Sequence, residues 1–361
     1  MSDAIFRRIR PEQFREVILL IVTLGVLFFF WTQIPDYFNA RSMNRLTTGL
    51  AIPLIVAVGQ VLVVLTRNID LSVSSIVGMS AYVVGTLLTD HNDMPRLVAV
   101  ALAMTLGLVL GSVNGLIVAY GQVPAIITTL GTLALYRVVL VEYSGAKTVT
   151  TAGLPDWLND IPGQNIIAVA SYDLRLTVGI ALLVAILGQL VLRYLSFGRR
   201  LYAIGSNPDA ARIAGLPAKR DVLVAYSLCG ALSGLAGFLF LVRFGNITVT
   251  AAQGLELQVV AAVVVGGVNI FGGSGSMIGA FMGVMLIEIL QTSLLRWAGI
   301  SEFVKDAILG LLILIAVTTD SIILNRLRVM WVRVRRKDQE RARAARLQRL
   351  SGDGEGVAHG T

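Results

Sequence analysis

The residues of this chain that could do chemistry are few, and their spacing argues against catalysis. Its two histidines, His91 and His359, are far apart, and the single cysteine, Cys229, sits inside an apolar run. No Ser, His and acid set is available for nucleophilic attack, and no cluster has metal-ligand spacing. The nearest approach to a phosphate-cradling G-x-x-x-x-G-K-[ST] loop, "SGAKT" at 144–148, lacks the Gly-Lys pair, and "GGSGSMIG" has no soluble strand–helix unit around it. Catalytic, cofactor and metal sites are therefore expected to be absent, and the chain is not expected to be an enzyme by itself. What does stand out is "LTRNIDLS" at 65–72, which sets Arg67, Asn68, Asp70 and Ser72 between two strongly apolar runs. Asp70 directly precedes the second run, where a carboxylate can accept amide hydrogen bonds and suits the positive end of a helix. Arg67, three residues earlier, is placed to pair with it. Two chemistries fit these four residues: a helix cap, and a charged latch at an inner gate.

The elements that must position them follow from composition. The chain is 14% charged and 55% hydrophobic, against about 25% and 45–50% for soluble domains. Its apolar runs approach the ~20 residues that a helix needs to cross a bilayer. A barrel would alternate apolar and polar residues in ~10-residue segments, and a signal peptide would explain only the first run. The expectation is an all-α polytopic membrane helix bundle of ten spans. They are Val17–Ile34, Thr48–Leu65, Leu71–Thr89, Leu97–Ala119, Pro124–Val141, Thr177–Leu195, Val222–Val242, Leu257–Val268, Met277–Leu295 and Phe303–Thr319. The eighth is short and flanked by glycine, and Ile166–Ala170 reads as a further membrane-contacting piece too short to span.

Basic residues orient the bundle. Arg7, Arg8, Arg10 and Arg15 precede the first span; Arg199, Arg200, Arg212, Lys219 and Arg220 lie between the sixth and seventh; ten Lys or Arg residues fall between Arg326 and Arg349. With ten spans all three clusters share one side, which makes both termini cytoplasmic and puts Arg67–Ser72 at the cytoplasmic end of the second and third spans, where polar groups can reach water and headgroups. The chain then divides into a cytoplasmic N-terminal segment (1–16), a transmembrane domain (17–320) with a cytoplasmic loop (196–221), and a basic, partly disordered cytoplasmic tail (321–361). Beside a membrane, the tail's charge points to anionic lipid rather than nucleic acid.

Within the spans, Gly107, Gly111 and Gly115, and likewise Gly275, Gly279 and Gly283, recur every fourth residue. In lipid such a stripe lets helix backbones pack closely. Intramembrane ions are scarce, with Glu288 in "LIEILQ" the only acid well inside a span, so no proton- or sodium-coupling relay is visible. Its neutral reading is a carboxylate bonded to Gln291 or a hydroxyl. Asn114, Thr128, Thr129, Asn269 and Glu288 are the polar candidates for a solute pathway. A weak internal echo aligns "NIDLSVSSIVG" (68–78) with "NIFGGSGSMIG" (269–279) at four of eleven positions.

The loop "FGRRLYAIGSNPDAARIAGLPAKRD" predicts a two-turn helix with both ends marked. Ser206 or Asn207 can cap it, Pro208 suits the first turn and Asp209 the positive end. Ala210, Ala211, Arg212, Ile213 and Ala214 form the body, and Gly215 is the exit residue. Such a helix is too short to stand alone in water, and either a docking element or an ordinary surface turn fits it.

This loop, "GRRLYAIGSNPDAARIAGL", resembles the ATPase-coupling loop in permease subunits of ribose-type ABC importers. So do "NIDLSVSSIVGM", "VNGLIVAYGQVPAIITTLGTLALYR", "GLELQVVAAVVVGGVNIFGGSGSMIGAFMG" and "ILGLLILIAVTTD", in the family's order over roughly residues 48–320. The resemblance implies ten helices per subunit and a second permease subunit, identical or related. It also implies cytoplasmic ATPase subunits that use the ATP and an extracytoplasmic solute-binding protein, with the permease itself in a bacterial inner membrane. Asn207–Ile213 and Gly215 would be the coupling residues. Many relatives carry glycines where this chain has Arg67, Asn68 and Ser74; "LTRNIDLSV" with "PAIITTLGTLALYR" is most similar to the rhamnose and autoinducer-2 branch. A small sugar or sugar-like solute is the implied cargo. A branched-chain amino-acid permease and a self-sufficient secondary carrier are the alternatives.

Overall fold

A computed structural model describes residues 11–145, 147–169 and 172–298, with 304, 307, 308, 310, 311 and 314 beyond them. The first ten residues, most of the expected tenth span and the tail at 321–361 lie outside the described residues.

Five long helices come first: α1 (Pro11–Gln33), α2 (Ala40–Val64), α3 (Val73–Asp90), α4 (Arg96–Ala119) and α5 (Ala125–Ser144). A connecting stretch holds the short α6 (Asp156–Asp160) and the strands β1 (Asn165–Val169) and β2 (Tyr172–Arg175). Then follow α7 (Leu176–Tyr194), α8 (Ser196–Ser206), α9 (Pro208–Ile213), α10 (Ala218–Phe244), α11 (Leu255–Val265) and α12 (Met277–Ala298). Eight helices, α1–α5, α7, α10 and α12, are long and apolar enough to cross a membrane.

One expectation needs correction. The run Leu257–Val268 is not a full span: α11 has 11 residues, about 16 Å at 1.5 Å per residue, roughly half of a ~30 Å hydrocarbon core. It ends at Gly266 and Gly267, the latter at φ 87°, a left-handed backbone that closes a helix. Ile166–Ala170, expected to be too short to span, belongs to the connecting stretch. Its residues through Val169 form a strand paired antiparallel with β2, with Ala168 opposite Asp173, so their backbone groups are satisfied by a hairpin.

α2 and α10 occupy the centre. From Ala51 to Leu65 every α2 residue and its C-cap is buried, as expected of a helix that is apolar all round. α10 packs on α4, α2 and α3. α1, α4, α5 and α7 instead turn apolar side chains outward, among them Ile21, Val109, Ile127 and Leu183. Hydroxyls in the spans are hidden locally: Thr23, Thr86 and Ser233 donate to the carbonyls of Leu19, Tyr82 and Cys229, four residues back.

The α4–α10 contact is backbone on backbone. A Cβ at Gly107 would strike Gly230 and Gly234, and one at Gly111 would strike Tyr226 and Gly230. Gly115 lies against Leu223 and Tyr226. Gly279 and Gly283 lie in the same way against Gly266, just past α11, and Ala262 within it. Gly275 is not part of that helical stripe: it precedes α12 at φ 148° and packs on Val268.

Candidate functional site

The polar break between α2 and α3 closes on itself through local chemistry. Leu65 caps α2; Thr66 and Arg67 turn back to the carbonyls of Val63 and Val64 at 3.0 Å. Arg67 takes φ 68°, a left-handed conformation uncommon outside glycine. The Asn68 amide donates to Thr66 O and Oγ1 at 3.0 and 2.9 Å. Asp70 Oδ1 accepts from Ser72 N at 2.9 Å and Ser72 Oγ at 2.7 Å, and Ser72 is the residue before α3.

Two expectations about this stretch are overturned. Asp70 is fully buried, not in reach of water at the membrane surface. The reason lies in what closes over it. The Gln60 amide, its nitrogen toward the Asp70 carbonyl and its oxygen toward the Asp70 N–H, pairs with both at 3.1 Å. The hydroxyls of Thr129 and Tyr226 both donate to Ile69 O at 3.3 Å. Arg67 does not pair with Asp70: its Nε donates to Gly205 O at 2.6 Å and its Nη2 to Ser206 O at 2.9 Å. Asp70 acts one step ahead of the helix, ordering the Ser72 amide and hydroxyl rather than the amides inside the first turn. Burial pushes its carboxyl above the usual carboxylate range, opposed by hydrogen bonds from Ser72 and Asn114. Its Oδ2 has no hydrogen-bond partner among the described residues.

From Ser72 the network runs into the bundle. Asn114 Nδ2 donates to Ser72 Oγ at 2.7 Å, and the Tyr136 hydroxyl lies 3.4 Å from Asn114 Oδ1 and donates to Leu110 O at 2.9 Å. Asp70, Ser72 and Asn114 thus form one buried chain, with Thr129 beside it. The remaining pathway candidates stand elsewhere. Thr128 is buried with its hydroxyl unpartnered among the described residues. Asn269 orders its own turn, accepting from Phe271 N at 2.9 Å. Glu288 lies against Gly49 and accepts from the Thr292 hydroxyl at 3.2 Å. Sequence reading missed Gln60, Tyr136 and Tyr226; Gln60 was discoverable as the one amide in the apolar run "PLIVAVGQVLVV".

The break touches the loop at 196–221 directly. Gly273 N donates to Leu65 O at 3.1 Å, and a Cβ on Gly205 would strike Leu65 O and Gly273 N. Three chain segments meet here at backbone distance. α9 follows at once: Asn207 Oδ1 accepts from Ala210 N at 3.0 Å, Pro208 opens the helix, and Gly215 leaves it at φ 73°. Asp209, Ala210 and Arg212 are exposed, whereas Ala211 faces inward and is buried. The large apolar side chain presented outward is Ile213, 85% exposed. The loop's base is stapled by Arg200, whose Nε and Nη2 donate to the two Asp221 oxygens at 2.6 and 2.8 Å.

The described residues thus give a bundle with eight membrane-length helices and a capped helix, α9, on its surface. The family profile described as "Branched-chain amino acid transport system / permease component" matches residues 42–317, and the chain belongs to this permease family. It is similar to the autoinducer 2 import system permease protein LsrC of Escherichia coli (strain K12 / DH10B), 36% identical over 84% of this chain and 85% of that protein. The protein of the same name from Salmonella typhi is 33% identical over 83% and 84%. No solved structure matches the chain. The chain is therefore a polytopic inner-membrane permease, as the motif resemblance implied.

Proposed function

We propose that this permease is the membrane subunit of an ATP-driven importer for autoinducer 2 or a closely similar small sugar-like solute. The observation that carries the reading is α9: a capped helix at the basic end of the bundle, buried on its Ala211 side and uncovered at Ile213. An apolar side chain left 85% exposed beside polar loop residues suits a protein partner rather than lipid. The partner is a cytoplasmic ATPase that uses the ATP, so the chain itself needs no cofactor. An extracytoplasmic binding protein delivers the solute, and a second permease subunit completes the pathway. The division into 1–16, 17–320 and 321–361, with both termini and the loop at 196–221 cytoplasmic, belongs to the same reading and is supported by the shared sign of the three basic clusters.

The relatives named for autoinducer 2 import, matched over 84% of this chain, favour that cargo. The family description favours branched-chain amino acids as the second reading. The test is uptake in cells expressing the permease with its ATPase and binding protein. Autoinducer 2 should be taken up and leucine should not compete; leucine uptake would establish the second reading. Ile213→Asp should release the ATPase during purification while the permease still inserts. Retained ATPase would exclude α9 as the docking element. Solute accumulation by the permease alone under an ion gradient would make it a secondary carrier.

A further inference from the structure

We infer that Arg67 is a positioning residue that caps α8 from across the chain, tying the polar break of α2 and α3 to the docking helix. The inference rests on the proposed docking role of α9.

The last carbonyls of a helix have no partner within it, and a cation there also meets the negative end of the helix dipole. In α8 the last amide bond is Asn207 N to Ala203 O at 3.2 Å, which leaves Gly205 O and Ser206 O pointing beyond the end. Arg67 supplies both, Nε at 2.6 Å and Nη2 at 2.9 Å. A planar guanidinium can serve two carbonyls on adjacent residues; an ammonium cannot do so in a fixed geometry. Room for this contact is made by glycine on every side. Gly205 has no space for a Cβ, Gly272 packs under the Arg67 side chain at φ 77°, and Gly273 sits against Ser206.

The backbone of Arg67 carries a cost that its side chain offsets. At φ 68° glycine would fit with less strain. An arginine is held there because its guanidinium is fixed on Gly205 and Ser206. The position of the contact decides its use. Ser206 precedes Asn207, the cap of α9, and Arg67 stands three residues before Asp70, which orders Ser72 at the start of α3. A displacement of α9 by a bound partner therefore reaches the α2–α3 break through Arg67, with one peptide bond between the capped carbonyl and α9.

The test is Arg67→Gly, with Arg67→Lys beside it, in the permease copurified with its ATPase. Glycine suits the backbone, so folding and ATPase retention should hold. Two readouts should change. Amides at 204–207 should exchange with deuterium about fivefold faster, the loss of roughly one hydrogen bond's protection, with Arg67→Lys between glycine and wild type. Solute moved per ATP hydrolysed should fall at least fivefold while hydrolysis continues. Unchanged exchange at 204–207 would overturn the cap, and changed exchange with an unchanged transport ratio would overturn the link. If the wild-type permease retains no ATPase, the docking reading of α9 falls, and the exchange measurement still decides the cap.

Discussion

The Ser72 hydroxyl stands 2.7 Å from Asp70 Oδ1 and at the same time accepts from the Asn114 amide at 2.7 Å. A three-residue chain of this kind gives a buried carboxylate two hydrogen bonds on one oxygen and none on the other. Burial raises the Asp70 carboxyl above its ordinary value, so the folded protein holds this proton more tightly than the unfolded chain does. The stability it confers is full below the ordinary carboxylate range and is lost as pH rises through the folded value. The melting temperature of the purified permease should fall across that window. Asp70→Asn keeps an acceptor for Ser72 and cannot ionise, so its melting curve should lose this dependence and should lie above wild type at neutral pH. An identical pH profile in the variant would show that folding does not raise the Asp70 carboxyl.

Asn114→Ala removes the donor to Ser72 Oγ, which keeps its bond to Asp70, while the Tyr136 hydroxyl keeps Leu110 O. The expected cost is that of one hydrogen bond, about 0.5–1.5 kcal/mol, read as a lower thermal midpoint in detergent. Asn114→Ser, which can still donate across a shorter reach, should recover part of it.

The α4–α10 contact should be intolerant of one methyl group. Gly107→Ala and Gly230→Ala place a Cβ onto facing backbone, and overpacking of this kind costs about 1–3 kcal/mol. Gly131→Ala is the control, since nothing lies within 4 Å of its added Cβ; it should be neutral or stabilising by up to about 1 kcal/mol. The measurement is the monodisperse fraction after detergent extraction and its melting midpoint.

Arg137 holds the stretch after α10. Its Nη1 donates to Val249 O and Ala251 O, each at 2.9 Å, and Ala252 is pinned at φ 58°. Arg137→Gln should speed amide exchange over 247–254, while the α4–α10 core keeps its protection. Equal exchange in the two proteins would remove the clamp.

Sidedness can be read with thiol labelling, because the native Cys229 is fully buried. Asp209→Cys and Asp156→Cys are both at exposed positions. A membrane-impermeant maleimide applied to intact cells should label the second and spare the first. Labelling of both from outside would sink the assignment of the docking loop to the cytoplasm.

The long helices were legible because hydropathy adds over some twenty residues, and the cap of α9 was legible because Asn207, Pro208 and Gly215 each act within one turn. What escaped depends on distance along the chain. Arg67 and Asp70, three apart, looked like an ion pair; only folding brings Gly205 and Ser206, more than a hundred positions away, to the guanidinium. The facing stripe of Gly230 and Gly234 was present in "CGALSGLAG", but a four-residue spacing does not say which helix it meets. Ala211 read as part of a docking face because a two-turn helix gives no hint of which side the bundle covers.

Where Gly107 and Gly111 meet Gly230 and Gly234, no side chain lies between the two helices. Interfaces filled by side chains can slip by exchanging rotamers, and along these four glycines there are none to exchange. α4 and α10 are therefore expected to move together, as one lever, if the subunit rearranges. The breaks at 65–72 and 266–276, where Arg67, Gly267, Gly272 and Gly273 already hold left-handed backbone, are among the places where such a pair could be carried without distorting a helix.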